Sequence, residues 1–299
     1  MAAVDSRLIT VPLPRRQPRG FSLVELLVLI GIAVILISIF LPYVAKVRES
    51  DHRARCAENL RSLMSALRNY AAANKGAYPR VRYDSVRNPN GYVAYSGGAA
   101  RDPFASGSSV LPNDVTASLW LLVRAKLIKP ADFICPSTSD FAEPASAAGW
   151  PTRSNFTGGR NLSYSYACPF SSAPAYKLDD FLPADFALMA DKNPGVARPS
   201  SNVTAPAWDA PPFEIALANS FNHDHAGQNV LYADGHVAFT KTPYCGYGHD
   251  ALRDNIYTAL SATPIPKGQT PPGFGNGVIG HDVGPAWDRD SYLVPTDQD

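Results

Sequence analysis

The chain has 299 residues, a formal net charge of +1 and 18% charged side chains, below the ~25% of an average soluble domain. Its 27 prolines and 21 glycines stay under the ~25–30% share that marks low-complexity chains, so a folded protein with long loops is expected. No basic excess is present to neutralise phosphates, which excludes a broad electrostatic case for nucleic-acid binding.

The charge is unevenly placed. Residues 1–20 hold Arg7, Arg15, Arg16 and Arg19 against Asp5, whereas Phe21 to Ala45 contains one charged residue, Glu25. As a helix this apolar stretch spans ~37 Å, enough for a ~30 Å hydrocarbon core. Arginines ahead of the span predict a cytoplasmic N-terminus with the bulk of the chain outside. A cleaved secretory signal fits less well, because the run exceeds ~7–15 residues and no A-x-A-like site follows it. Neither does Arg15-Arg16 have the neighbours of a twin-arginine signal. A plain signal anchor leaves Glu25 without a reason, since a carboxylate costs up to ~2.5–3.5 kcal/mol at the centre of a span.

Arg19-Gly20-Phe21-Ser22-Leu23-Val24-Glu25 resembles the processing motif of type IV prepilins and type II secretion pseudopilins. The resemblance implies cleavage by a prepilin peptidase between Gly20 and Phe21 and N-methylation of Phe21. It also implies that Glu25 pairs with the terminal amine of a neighbouring subunit during fibre assembly. Carboxylate and ammonium can satisfy each other once both leave water. Pro42 matches the helix-kinking proline of the family, and its missing N–H would open the ladder there.

Past Pro42, Lys46, Arg48, Glu49, Asp51, Arg53 and Arg55 read as a solvated helix face. Cys56, Leu60, Leu63, Leu67 and Tyr70 then form an amphipathic stripe. One helix from Phe21 to about Asn74 is expected, stopped by Asn74-Lys75-Gly76. The segment Arg53-Ala-Arg-Cys56-Ala-Glu-Asn59-Leu60 is similar to the R-x-x-C-x-x-N-L stretch of a bacterial pseudopilin-like subfamily with enlarged periplasmic domains.

Residues 80–115 read as a long loop. Thr116–Leu127 reads as a short helix with Trp120, Leu121 and Leu127 in the core and Pro130 closing it. Phe133–Ser137 is a short strand or loop. Leu162–Ala167 alternates like a half-buried strand, and Phe186–Ala190, ending at Asp191, reads as a buried one. Asn229–Thr240 is a hairpin in which Asp234-Gly235 suits a two-residue type I′ turn. With Asn219 to Gln228 ahead of it, this hairpin resembles the subfamily's H-x9-DG domain. His225 lies one residue too close to Asp234 for that spacing and His223 one too far. His223 is the preferred equivalent, because Asn219-Ser220-x-Asn222-His223 also follows the family pattern.

His223, Asp224, His225, Asp234 and His236 form a dense set of candidate ligands. The favoured reading keeps Asp234 in the turn for its backbone preference and has one histidine tie the loop to the hairpin, with Asn219, His223, Asp234, Gly235 and His236 as motif residues, no catalytic role and no committed metal or cofactor. A divalent ion near His223 and His225, or in an acidic tail containing Asp282, Asp288 and Asp290, is the alternative. The four cysteines allow three pairings. Cys135-Pro136 and Cys168-Pro169 share a local setting, which makes Cys135–Cys168 the first choice. The tail from Pro243 is expected to be irregular, and its Asp290–Pro295 end resembles that of many subfamily members.

The expected architecture is α+β and pilin-like. A leader (1–20) and a transmembrane helix (21–45) precede an amphipathic continuation (46–76). A periplasmic head (77–299) carries a small antiparallel sheet, the hairpin region (219–240) and the tail (243–299). The resemblance implies a subunit of a type II secretion or type IV pilus-like system in a bacterial inner membrane. Its partners would be the peptidase and other pilin-like subunits. The competing expectation is a membrane-tethered periplasmic module that binds a metal, glycan or exported protein through residues 219–236.

Overall fold

A computed structural model describes residues 20–144, 149–195, 203–204, 206, 209–249, 252–259, 278–279, 282–297 and 299. Leader residues 1–19 therefore lie outside the described residues, as do parts of the tail. The chain divides into two units, Met1–Arg48 and Glu49–Asp299.

Helix α1 covers Leu23–Ala73 and runs through Pro42. It starts at a reciprocal cap. Glu25 N–H donates to Ser22 Oγ at 3.2 Å, and Ser22 N–H donates to Glu25 Oε2 at 2.8 Å. Such S-x-x-E pairs satisfy two of the amides that a helix start leaves without partners. The first unit is apolar and exposed from Phe21 to Tyr43, broken by Glu25 and small residues. Among the described residues α1 is the one helix long and apolar enough to cross a membrane.

In the second unit α1 buries Cys56, Leu60, Leu63, Met64, Ala66, Leu67 and Ala71, so the expected stripe is its core face. Tyr70, expected on the same stripe, is only half-buried. Helix α2, Val115–Arg124, is capped by Asp114, whose side chain accepts from Ala117 N–H at 2.8 Å. It ends earlier than expected: Lys126 takes a left-handed conformation (φ 60°), which stops the helix and leaves Leu127 exposed. Pro130 begins a separate 3-10 turn, Pro130–Phe133. Trp120 is fully buried, edge-on to Phe156, which is edge-on to Phe133.

The main sheet is antiparallel throughout and has five strands. They are β1 (Tyr164–Ala167), β2 (Ala187–Asp191), β4 (Gln228–Tyr232), β5 (Val237–Thr240) and β9 (Leu293–Val294), in the order β5-β4-β2-β1-β9. Two small ladders accompany it: β3 (Val203–Thr204) with β8 (Val278–Ile279), and β6 (Tyr244–His249) with β7 (Leu252–Asn255). Helix α3 (Pro212–Leu217) precedes β4. Every residue of β1, β2 and β4 is buried. That corrects the half-buried reading of β1: these three strands are covered on both faces, whereas the edge strand β5 is part-exposed, and the alternation of Ser and Tyr in β1 hides buried hydroxyls. Tyr164 Oη accepts from Asn59 on α1, Ser165 Oγ donates to Pro295 O, and Tyr166 Oη donates to Pro79 O.

The tail also differs from expectation. It supplies β6, β7 and the edge strand β9, and Ile256, Tyr257 and Leu293 belong to the same core as α1. Asn193, just past β2, donates to the carbonyls of both Tyr257 and Leu293, at 2.9 and 2.8 Å. A paired carboxylate is buried there as well. Burial, and then the charge of Asp290, push the Asp254 carboxyl well above its usual range. Asp254 accepts from Ser291 N–H at 2.9 Å, and Asp290 accepts from Ala286 N–H at 2.7 Å. Asp290 thus lies in the core, while Asp282 is exposed and Asp288 half-exposed.

Candidate functional site

The residues between Asn219 and His236 divide into two groups. Around the β4–β5 turn the chemistry is that of a hairpin. Tyr232 N–H donates to His236 O, and Gly235 N–H donates to Tyr232 O. Only Gly235 takes a positive φ, +98°. The connection is therefore a three-residue loop, Ala233–Gly235, with a left-handed glycine, and not the two-residue type I′ turn, which needs positive φ twice. Asp234 Oδ1 accepts from His236 N–H at 2.9 Å and sits 2.6 Å from His236 Nδ1. Burial alone would raise the Asp234 carboxyl, but the hydrogen bonds from His236 and the charges of His236 and Arg68 hold it below its usual value. His236 stacks on Tyr232 with ring centres 4.4 Å apart. Arg68 of α1 donates to Asp234 O at 2.6 Å, so the turn is tied to the helix through its backbone.

The Asn219–Gln228 stretch instead turns inward. Asn219 Nδ2 clamps the loop by donating to His225 O and Lys241 O. Ser220 Oγ donates to Lys192 O, and Asn222 Nδ2 donates to Ser163 O. Asp224 and His225 are consecutive left-handed residues, with φ of 52° and 59°. His223 points into the core, where its side chain is fully buried. His225 stays partly exposed against Phe221 and the Asn219 carbonyl.

His223 is the centre of the site. Its Nδ1 lies 2.7 Å from Glu49 Oε1 on α1. Nε2 lies 3.1 Å from Asp191 Oδ2 at the end of β2, 3.2 Å from Asn229 Nδ2 on β4, and 3.8 Å from Cys135 Sγ. Burial alone would lower the imidazole's pKa. The hydrogen bonds and charges of Asp191 and Glu49 outweigh that and raise it above its ordinary 6.5, which favours the imidazolium. For Glu49, burial acts upward, but hydrogen bonds from Arg53, His223 and Ser137 bring the carboxyl below its ordinary value. Asp191 has no comparable access to water. Its oxygens accept from Asn229 N–H at 2.6 Å and from Asn222 Nδ2 at 3.2 Å.

Beside this cluster Cys56 of α1 is bonded to Cys135, with Cα atoms 5.2 Å apart. This corrects the expected Cys135–Cys168 pairing. Cys168 and Cys245 are free and buried, and burial pushes their thiols up to about 12 and about 11. The shared Cys-Pro context did not report proximity: Cys135 follows a 3-10 turn against α1, whereas Cys168 directly follows β1.

The residues of the Arg53–Leu60 stretch converge here. Arg53 bonds Glu49 at 2.9 Å and lies over the Phe239 ring at 4.3 Å. Asn59 Nδ2 donates to Ile134 O at 2.8 Å. Two participants, Glu49 and Asp191, were not foreseen from the sequence. For Glu49 the signal was present, since positions 49, 53, 56, 60, 63 and 67 continue one helix stripe. The expected ligand set of His223, Asp224, His225, Asp234 and His236 is not brought together. His223 is grouped instead with Cys56, Cys135 and Asp191, whose donor atoms lie within 4.8 Å of one another.

At the other end of the chain, Gly20 and Phe21 precede α1, and Phe21 is exposed. Glu25 is exposed and occupied by the Ser22 cap, a signal legible as S-x-x-E. Comparison with protein-family models, characterised proteins and solved structures finds no match to this chain.

Proposed function

We propose that the chain is a prepilin-like structural subunit. It would be processed before Phe21, held in a bacterial inner membrane by α1 with its C-terminal unit in the periplasm, and assembled with similar subunits through that helix. The observation that carries this reading is the start of α1. A glycine and an exposed phenylalanine precede an exposed apolar helix whose first turn holds an acidic residue, Glu25. A carboxylate at that depth costs least near the interface and gains most from an ammonium delivered by a neighbour. The Ser22 cap gives Glu25 a partner meanwhile. The pilin-like description of the fold rests on the same ground, a long apolar helix followed by a small antiparallel sheet. For the binding-module alternative, residues 219–236 offer chiefly the buried His223, whose Nε2 faces Asp191 and Cys135, while Asp234 and Gly235 serve the turn.

Terminal mass spectrometry of protein from a host with a prepilin peptidase tests the reading. A mature chain beginning at methylated Phe21 is expected; one beginning at Met1 or near Lys46 overturns it. Glu25→Ala should leave membrane insertion unchanged and reduce incorporation into fibres on the order of tenfold or more, as expected for a buried charge left without its partner. Unchanged incorporation removes Glu25 from assembly.

A further inference from the structure

We propose that Cys56, Cys135, Asp191 and His223 provide two alternative cross-links. The first is the disulfide. The second, available once that bond is reduced, is one tetrahedrally held divalent cation of the zinc class. This goes beyond the fibre reading and does not depend on it.

Three observations carry the inference. The four donors come from α1, the segment after the 3-10 turn, the end of β2 and the turn before β4. All four residues are buried, with donor atoms within 4.8 Å of one another. With metal–ligand bonds of ~2.0–2.3 Å, tetrahedral donors lie roughly 3.3–3.8 Å apart. The widest pair must close by about 1 Å, and the sulfurs must part to a similar spacing. The imidazole is also already oriented as a metal ligand. Its Nδ1 faces the Glu49 carboxylate at 2.7 Å, while Nε2 faces Asp191 and the Cys135 sulfur. A carboxylate behind the far nitrogen fixes the tautomer that leaves Nε2 free to ligate. Finally, Asp191 is held from behind by Asn229 N–H and Asn222 Nδ2, the outer-shell support expected of a ligating carboxylate. Two thiolates, one imidazole and one carboxylate form a donor set that favours zinc over calcium or magnesium.

The exchange balances with a dithiol as reductant. The dithiol closes to its own disulfide, releasing two protons and two electrons. Those electrons break the Cys56–Cys135 bond and leave two thiolates, which the cation takes directly. His223 starts as the imidazolium and gives up its Nε2 proton on ligation, so the net products are the metal-bound site, the oxidised dithiol and three protons, two from the dithiol and one from His223. The disulfide ties α1 to the Cys135 segment alone, whereas the cation would tie α1 to that segment, to the end of β2 and to the turn before β4.

The test uses the full chain in detergent, reduced with dithiothreitol, desalted anaerobically and titrated with Co2+. One equivalent should bind, with tetrahedral d–d bands and sulfur-to-cobalt charge transfer that Zn2+ displaces. The oxidised chain should bind at least ~100-fold more weakly, because its sulfurs are no longer ligands. Glu49→Gln should keep the spectrum and weaken binding ~10–100-fold. The double variant Cys168→Ser with Cys245→Ser should change neither. The proposal is overturned by octahedral bands without charge transfer, by equal affinity in the oxidised chain, or by loss of the charge-transfer band in the double variant. None of these outcomes requires a His223 variant, so misfolding of His223→Gln leaves the test intact.

Discussion

Replacing His223 with alanine is expected to destabilise the Glu49–Asp299 unit by about 3–5 kcal/mol, the usual cost of removing one partner from a buried ion pair. The imidazole contacts Glu49 through Nδ1 and Asp191 through Nε2. Without it Asp191, whose side chain is fully buried, faces the core with amide donors only. Glu49 is part-exposed and keeps Arg53 and Ser137, so most of the penalty falls on Asp191. That asymmetry gives a second expectation. His223→Ala combined with Asp191→Asn should recover ~0.5–3 kcal/mol relative to the sum of the single effects, because the uncompensated charge has gone. Urea unfolding of the full chain in detergent measures both. The midpoint should fall with the slope unchanged, since the native packing is altered and the unfolded chain is not. A loss below ~1 kcal/mol, the value of an exposed pair, would show that water reaches Asp191 and that His223 is no keystone.

The same cluster shows what could be read in the sequence. Local periodicity revealed α1 and its buried stripe, the Ala187–Asp191 strand and the existence of the β4–β5 hairpin, because each is a pattern of neighbours. The Asn219–His223 stretch could be singled out, and so could His223 within it. What it touches could not, since Glu49 lies 174 positions away and Asp191 reaches it only through the sheet order. Glu49 was hidden by its setting among other charged residues, where an exposed helix face was the natural reading. The tail strands were hidden by composition. Strand β9 is two residues long, too short to show alternation, and it sits at the β1 edge with Asn193 donating to its Leu293 carbonyl. Turn geometry was visible only as a dipeptide. Asp-Gly announced a reversal, but whether one or two residues take positive φ was settled by Tyr232 and His236 pairing across the loop.

Loss of the Cys56–Cys135 bond should have an effect of similar size but a different signature. The bond closes a loop of sequence separation 79, which in the chain-entropy description corresponds to about 4.5 kcal/mol, within the ~2–5 kcal/mol found when native disulfides are removed. Cys56→Ser, Cys135→Ser and the double variant each delete the same cross-link. The three should therefore lose nearly the same stability, and the single effects should not add. Most of the change acts by freeing the unfolded chain, so the urea slope should steepen as well as the midpoint fall. His223→Ala should leave that slope alone, and the comparison separates a native-state charge effect from an unfolded-state one. The assignment of partners has its own check. Cys168 and Cys245 are buried with raised thiol pKa values, so little thiolate is available for exchange while the chain is folded. Alkylation after denaturation without reductant, in acid-quenched samples, should label Cys168 and Cys245 and leave Cys56 and Cys135 unlabelled. Labelling of Cys56 with Cys168 protected would restore the Cys135–Cys168 pairing. It would also remove the tie that holds α1 against the His223 cluster.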